Sequence, residues 1–248
     1  MHDAFDFDTY WWIVNRIASN NRCTQFRNPA PEPFFILRHD VDYSPAAALR
    51  LAQMEAQRSM HATYFLLTGS RYYNLCAPEH AHFARRLTEL GHEVGLHYDI
   101  NTFRAFPENE WPALLRAQAN LLSELAGQRV VSIAMHQPAL SGGDPFRSDS
   151  LGFINAYGVD AVYISDSCRA WRDSAWSMLT TGDIPKRLQL NLHPINWSDR
   201  DRDRDEIFRG VHQQLMDEIR SARDQLLSQI AVHDGVVEHE RRVEAVCR

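Results

Sequence analysis

The sequence predicts an α/β protein: a single deformed (β/α) barrel of about seven parallel strands with a C-terminal helical extension. Short apolar runs typical of buried strands alternate with amphipathic segments about six times, which favours parallel strands joined by right-handed crossovers. Polar residues directly follow the strand runs, as at the C-terminal face of (β/α) barrels. An open doubly wound sheet is the alternative. A glycine-rich phosphate loop after the first core strand would favour it, but the sequence there is HDVDYSP.

Composition places the chain among globular proteins. Hydrophobic residues make up 44% of its 248 residues, and the net charge is −6, which argues against disorder and against nucleic acid as the main partner. The four cysteines lie far apart with no CxxC pair, so neither a zinc finger nor a disulfide framework is predicted. The acidic N-terminus does not resemble a signal peptide, and no apolar run approaches ~18 residues. We therefore expect a soluble, cytoplasmic protein without a membrane span.

Each predicted element of the first half has a local signal. Ser44 and Pro45 form a typical helix start, and Gly91 a typical helix end. The predicted elements are a helix over residues 10–18, a loop over 20–33, a strand over 34–39, a helix from 44 to about 58, a strand over 62–67, a helix over 78–90 and a strand over 93–96.

The second half continues the alternation. The predicted elements are a helix over residues 111–125 ended by Gly127, a strand over 130–135, a glycine-rich loop over 141–144, a helix over 149–157, strands over 160–164 and 188–192, and a loop carrying Trp171 and Trp176. From Asp199 a mixed-charge run leads into an apolar helical stripe from Phe208 to Ile230, which is typical of a core or subunit contact. We predict one domain, with its core over about residues 34–197 and a helical segment over about 200–248.

Ligand-type side chains cluster where the predicted strands end. The strand over residues 34–39 leads into Asp40 and Asp42, and burying both carboxylates unpaired would cost several kcal/mol. Later strands lead to three histidines and an aspartate: His97, His136, His193 and Asp166. Because parallel strands end at the same edge of a barrel, we expect these side chains to form one site.

Five short motifs occur in order along these strand ends. They are Asp40-Val41-Asp42, Gly91-His92-Glu93-Val94-Gly95-Leu96-His97, residues 134–138, Asp166, and Leu192-His193-Pro194. Their order and spacing over about residues 34–197 resemble those of the polysaccharide deacetylase superfamily, the carbohydrate esterases that share the NodB homology domain. The chain looks most similar to a divergent branch associated with bacterial surface-polysaccharide (O-antigen) biosynthesis.

The resemblance implies a role for each matched residue. Asp40 would be the catalytic base, Asp42 and His97 would bind a divalent metal, expected to be zinc, and His193 would be the general acid. Asp166 would hold the tautomer of His193. His136, in the third motif, would line the substrate groove. Apart from the resemblance, Tyr98 and Trp197 flank the predicted site, and we expect them to bind substrate by stacking on a sugar ring.

Two departures from the family pattern concern the metal and the groove. Asn101 stands where a second metal-binding histidine is usual, four residues after His97, and its carbonyl oxygen is predicted to take that place. A neutral amide is a poorer zinc ligand than imidazole, so the alternatives are that Asp99 or a water molecule compensates, or that the metal binds weakly. His136 replaces the arginine of the third motif, and Ala139 replaces an aromatic residue.

The resulting prediction is a metal-dependent hydrolase that removes an acetyl group from an N-acetylated or O-acetylated sugar. A nucleotide-linked or lipid-linked precursor would fit a cytoplasmic location. Two alternatives remain open: a metal-free C–N amidohydrolase on the same scaffold, and a catalytically silent carbohydrate-binding protein. The sequence leaves the oligomeric state open.

Overall fold

Eight parallel strands form the sheet of this protein within residues 4–246, which the computed structural model describes; side chains are described for residues 4–172 and 174–233. The strands are β1 (Arg22–Thr24), β2 (Phe34–Val41), β3 (Thr63–Leu67), β4 (Glu93–Tyr98), β5 (Ser132–Met135), β6 (Ile154–Asn155), β7 (Val162–Ser165) and β8 (Arg187–Asn191). Seven follow the order β6-β5-β4-β3-β2-β8-β7, and β1 pairs with β2. The sheet curls into a half-barrel, which confirms the predicted deformed (β/α) barrel.

Seven α-helices precede, connect and follow these strands within the described residues. They are α1 (Phe7–Ala18), α2 (Pro45–Ala56), α3 (Phe83–Glu89), α4 (Ile100–Phe103), α5 (Trp111–Ala126), α6 (Asp173–Thr181) and α7 (Arg204–Val246). The two predicted helix-boundary signals at α2 and α5 are confirmed. Ser44 Oγ accepts a hydrogen bond from the Ala47 backbone N–H at 3.2 Å, and Gly127 ends α5 with a φ of +65°.

Strand β2 is the central element of the sheet. It pairs with β8 over Phe34–Arg38, with β3 over Arg38–Val41, and with β1 over Phe34–Ile36. Seven of its eight residues are buried, including the polar ones near its end. Since β3 pairs with β4 and β4 with β5, the ends of β2, β4, β5, β7 and β8 lie at one edge of the barrel.

Several predicted elements differ from the structure. The helix over residues 149–157 is wrong: Asp149 Oδ1 accepts the Leu151 N–H at 3.0 Å, and left-handed φ values at Leu151 and Gly152 turn the chain into β6. The helix expected from residue 78 begins at Phe83, because residues 77–83 form successive i→i+3 turns. Strand β1 lies in the predicted loop, and Trp176 lies on α6.

The chain divides into two compact units at the boundary between Asp203 and Arg204. The second unit is α7, whose apolar stripe is partly exposed: Ile219, Leu226 and Ile230 are 62%, 56% and 48% exposed. The single-domain organisation stays a prediction. In the described part of the chain, no helix has both the length and the apolar character needed to cross a membrane.

Close packing between β3, β4 and β5 yields the first testable prediction. A Cβ added at Gly95 would lie 2.4 Å from the Phe65 ring and 2.7 Å from Ser132 Oγ, whereas one added at Gly69 would meet nothing within 4 Å. We expect Gly95→Ala to lower the free energy of unfolding by about 1–3 kcal/mol, and Gly69→Ala to change it by less than about 0.5 kcal/mol. Urea denaturation of both variants measures this, and equal effects would contradict the packing described.

Candidate functional site

Three ligand-type atoms converge at the C-terminal edge of the sheet. Asp42 Oδ1 lies 3.3 Å from His97 Nε2 and 3.1 Å from His136 Nδ1, and the two ring nitrogens are 3.1 Å apart. Asp42 directly follows β2, His97 lies at the end of β4, and His136 follows β5. A tetrahedral zinc site with bonds of about 2.0–2.1 Å places its ligand atoms about 3.3 Å apart, so these spacings fit a metal ion.

The tautomer of His97 favours ligation. Its Nδ1 lies 2.9 Å from the Ala134 backbone oxygen, which can only accept a hydrogen bond, so Nδ1 carries the proton. In the neutral ring, Nε2 then presents its lone pair to Asp42 and His136. Metal-binding histidines are typically oriented in this way by a backbone carbonyl on the other nitrogen.

His136 is brought to the cluster by backbone pairing and by an uncommon turn. Its N–H donates to the Tyr98 backbone oxygen at 2.8 Å, which extends the β4–β5 pairing by one step. The next residue, Gln137, has a φ of 49°, in the left-handed region that non-glycine residues rarely adopt. Such conformations occur disproportionately at functional sites.

The electrostatics of the cluster favour a cation at its centre. Burial raises the pKa of Asp42, but the neighbouring imidazoles of His136 and His97 lower it well below its usual range. Burial likewise lowers the pKa of His136, but Asp42 reverses this and raises it. Among the described residues, Asp42 Oδ1 is buried without a hydrogen bond of good geometry. The Asp42 carboxylate and the lone pair of His97 Nε2 therefore face the same space. A proton on His136 or a metal ion in that space can neutralise the charge of the carboxylate.

Asn101, the predicted second-histidine substitute, is held by other partners. Its Nδ2 donates to Asp99 Oδ1, and its Oδ1 accepts from Arg104 Nη1, both at 2.9 Å. It lines the same cavity as Asp42 and His136. The carbonyl oxygen already accepts a hydrogen bond from a charged donor, which disfavours metal binding by this atom. The role of Asn101 as a ligand stays a prediction.

Asp40 forms a buried ion pair inside the barrel. Arg38 Nε and Nη2 donate to its two carboxylate oxygens at 2.8 and 2.9 Å, and Asn191 Nδ2 donates to Oδ2 at 3.0 Å. Burial raises the pKa of Asp40, but Arg38 in the first place, then His97 and His193, lowers it to about 2. The carboxylate is therefore ionised at neutral pH, and Oδ1 receives a single hydrogen bond from the described side chains.

His193 and Asp166 form a second charged pair beside the cluster. His193 Nδ1 lies 2.6 Å from Asp166 Oδ1, and its Nε2 lies 3.9 Å from Asp42 Oδ2. Asp166 is fully buried and accepts further hydrogen bonds from Asn196 Nδ2 and Trp197 Nε1, at 3.0 and 2.9 Å. Burial lowers the pKa of His193, but Asp166 outweighs it and raises that pKa to about 10. The imidazole is therefore held protonated, with Nε2–H directed towards the cluster.

The two aromatic residues predicted to stack on a sugar are buried. Trp197 is 2% exposed, and Tyr98 is fully buried with its hydroxyl donating to Asp144. Neither ring presents a face to a ligand, so the predicted stacking is corrected for both. Trp197 instead holds Asp166, and Tyr98 ties the end of β4 to the loop that follows β5.

A cavity of about 440 Å³ opens at the cluster. Besides Asp42 and His136, its lining includes Tyr43 and Tyr72, whose rings pack edge to face with centroids 4.7 Å apart. This volume is within the range of small-molecule sites. The aromatic residues beside the site are therefore ones that the sequence reading missed.

Arg38 was also not identified from the sequence as a site residue, although its spacing from Asp40 indicates a contact between the two. Alternate residues of a strand share a face, so Arg38 and Asp40 point the same way. An arginine in an apolar strand with an aspartate two residues later indicates a buried ion pair. Asn191, on the neighbouring β8, had no such signal, because its contact with Asp40 depends on strand pairing.

The chain was compared with known proteins. No family model matches it, and no curated protein matches it. Several solved structures are similar to it, at low identity. A CE4 family pseudoenzyme from Bacillus anthracis has 14% identity and a TM-score of 0.46 over 75% of this chain and 62% of that chain. A polysaccharide deacetylase from Bacillus cereus has 18% identity and a TM-score of 0.46 over 74% of this chain and 87% of that chain.

A third similar structure is a family 4 acetyl xylan esterase from Clostridium thermocellum in complex with a cobalt ion. It has 13% identity and a TM-score of 0.47, over 64% of this chain and 73% of that chain. The match spans less than two thirds of the pseudoenzyme's length. The link to a surface-polysaccharide branch stays a prediction.

The charged state of His193 is a second testable prediction. Replacing Asp166 by Asn removes the carboxylate that raises the pKa of His193 from 6.5 to about 10. Burial then acts without that opposition, so we expect the pKa to fall by more than about 1 unit. Titration of the imidazole by nuclear magnetic resonance measures it in both proteins. A pKa near 6.5 in the unmodified protein would contradict the described pair.

Proposed function

We propose that this chain is a metal-dependent hydrolase that removes an acyl group, first of all N-acetyl, from an acetylated sugar. The observation that carries the proposal is the convergence of Asp42 Oδ1, His97 Nε2 and His136 Nδ1 within 3.3 Å of one another. The resemblance of the sequence motifs to polysaccharide deacetylases supports the substrate class. We further propose that the sugar is nucleotide-linked or lipid-linked, which can be tested separately from the acyl hydrolysis.

We assign the metal ligands to Asp42, His97 and His136. His136 supplies the second imidazole in place of the histidine that Asn101 replaces. One carboxylate and two imidazoles suit a divalent transition-metal ion, with zinc as the first candidate. When bound, such an ion polarises the acyl carbonyl and lowers the pKa of a coordinated water.

Asp40 is the proposed general base. Its carboxylate is ionised at neutral pH, and Arg38 and Asn191 fix its orientation from the barrel interior. Oδ1, which receives a single described hydrogen bond, has a lone pair left to accept a proton from the attacking water. Arg38 acts as a positioning residue, because it holds Asp40 without facing the cavity.

His193 is the proposed general acid. Its protonated Nε2 faces the cluster, 3.9 Å from Asp42 Oδ2, where it can donate a proton to the departing nitrogen. Asp166 keeps Nδ1 protonated and holds the ring in place. Tyr43 and Tyr72 line the cavity and offer ring faces and hydroxyls to a sugar.

The ligand assignment predicts different effects of alanine substitutions at His136, His97 and Asn101. His136→Ala removes one of the three proposed metal ligands and should weaken zinc binding at least about 100-fold. His97→Ala should have the same effect. Asn101→Ala should change the affinity by less than about threefold, because its carbonyl already accepts from Arg104. Isothermal titration calorimetry with ZnCl₂ measures all three variants. A large loss in Asn101→Ala with little loss in His136→Ala would reverse the assignment.

Zinc affinity should also fall with decreasing pH. Asp42 raises the pKa of His136, so protons compete with zinc for Nδ1 up to a higher pH than at an ordinary histidine. Below that pKa, each unit of pH should cost about tenfold in affinity. Titrations between about pH 5.5 and 8 test this, and a pH-independent affinity would rule out a protonatable ligand.

Asp40→Asn tests the base. It should lower kcat for acetate release from N-acetylated sugars about 10²–10⁴-fold while zinc remains bound. Arg38→Met, by contrast, leaves Asp40 buried without its partner and should lower both activity and stability. Turnover that survives removal of the metal by chelation would favour the metal-free amidohydrolase. Sugar binding without turnover would favour the silent carbohydrate-binding protein.

A further inference from the structure

The helix α7 carries an apolar seam with an 11-residue repeat. From Phe208 to Ile230 the apolar residues recur in steps of 3, 4 and 4: Phe208, Val211, Leu215, Ile219, Ala222, Leu226 and Ile230. Eleven residues in three turns give about 3.67 residues per turn, close to the 3.6 of an α-helix. The seam therefore stays on one face of the helix over two full repeats.

Much of the seam is open to solvent. Ile219, Leu226 and Ile230 are 62%, 56% and 48% exposed, and Leu227 beside them is 56% exposed. The opposite face of the same helix is polar, with Asp217, Asp224 and Ser228 among its residues. A helix draws most of its stability from packing its apolar face, so an exposed seam of this length indicates an interaction surface.

The repeat selects the kind of partner. A helix with the same 11-residue period can match the seam at every turn, as in coiled coils whose helices share one repeat. A second copy of this chain carries that helix. The span from Phe208 to Ile230 is about 34 Å long, comparable with the three heptads at which coiled-coil pairing becomes a credible interpretation.

The charges beside the seam favour one orientation. Glu218 precedes the seam residue Ile219, and Arg223 follows the seam residue Ala222. In a parallel pair in register, Glu218 of each helix faces Arg223 of the other helix, because the two positions are five residues apart. The interface then contains two such contacts, one on each side. In an antiparallel pair, each flank would face its own copy, so Glu218 and Arg223 would not meet.

We propose that α7 pairs in parallel and in register with α7 of a second copy of this chain along this seam. The pairing rests on α7 alone and is independent of the proposed hydrolase activity. The apolar seam then has a single partner, the same helix of a second molecule.

Sedimentation equilibrium of the full chain tests the seam. Leu226→Glu and Ile219→Glu should each raise the dissociation constant of the dimer at least about tenfold. Ser228→Glu, the matched control on the opposite face, should change it less than about twofold. A monomer at about 100 µM, a trimer, or a dimer indifferent to the seam variants would each overturn the proposal. Unchanged near-ultraviolet circular dichroism shows that the first unit keeps its fold.

Charge reversal tests the orientation. At low salt, Arg223→Glu should weaken the dimer about 2–10-fold, because it places two carboxylates opposite each other on both sides of the interface. Adding Glu218→Arg to that variant should restore the affinity. A single variant that leaves the affinity unchanged, or a double variant that fails to restore it, would overturn the parallel pairing.

Discussion

A buried ion pair and a buried His39–Glu55 contact, on opposite faces of β2, are the constraint on which the site depends. On the barrel side, Arg38 binds both carboxylate oxygens of Asp40; on the helix side, His39 Nε2 lies 2.8 Å from Glu55, which also accepts from Tyr64 at 2.7 Å. Arg38 and Asp40 are also bound by Gln189 and Asn191 on β8, at 2.9 and 3.0 Å, and Glu55 lies on α2. Rotation or slip of β2 would break these buried contacts, and leaving a buried charge without its partner typically costs about 3–5 kcal/mol. The end of β2 therefore delivers Asp42 to a fixed point at the barrel edge.

The neighbouring strands complete the site around that point through backbone geometry. A carbonyl on β5 fixes the tautomer of His97 on β4, and the residue after β5 supplies His136. The carboxylate that follows β7 holds the histidine that follows β8. Each reactive group is thus oriented by a partner on an adjacent strand, which links the parallel pairing of the sheet to the chemistry proposed for it.

The sequence predicts the barrel and the residues at its edge because both follow from local signals. Alternating apolar runs indicate the strands, and Asp42, His97 and His193 follow them directly. What the sequence misses depends on contacts across strands. The convergence of His136 with Asp42 and His97, and the burial of Trp197, follow from strand register and packing, which no spacing along the chain reveals. The helix expected over residues 149–157 failed because side-chain and left-handed turns outweighed its helical propensity.

Anomalous X-ray diffraction from crystals soaked in zinc tests the central claim most directly. The account predicts one strong anomalous peak about 2.0–2.2 Å from Asp42 Oδ1, His97 Nε2 and His136 Nδ1. A zinc ion bound by Asn101 with His136 turned away would contradict the ligand assignment. A site without zinc in crystals grown near pH 8 would contradict the proposed metal-dependent chemistry itself.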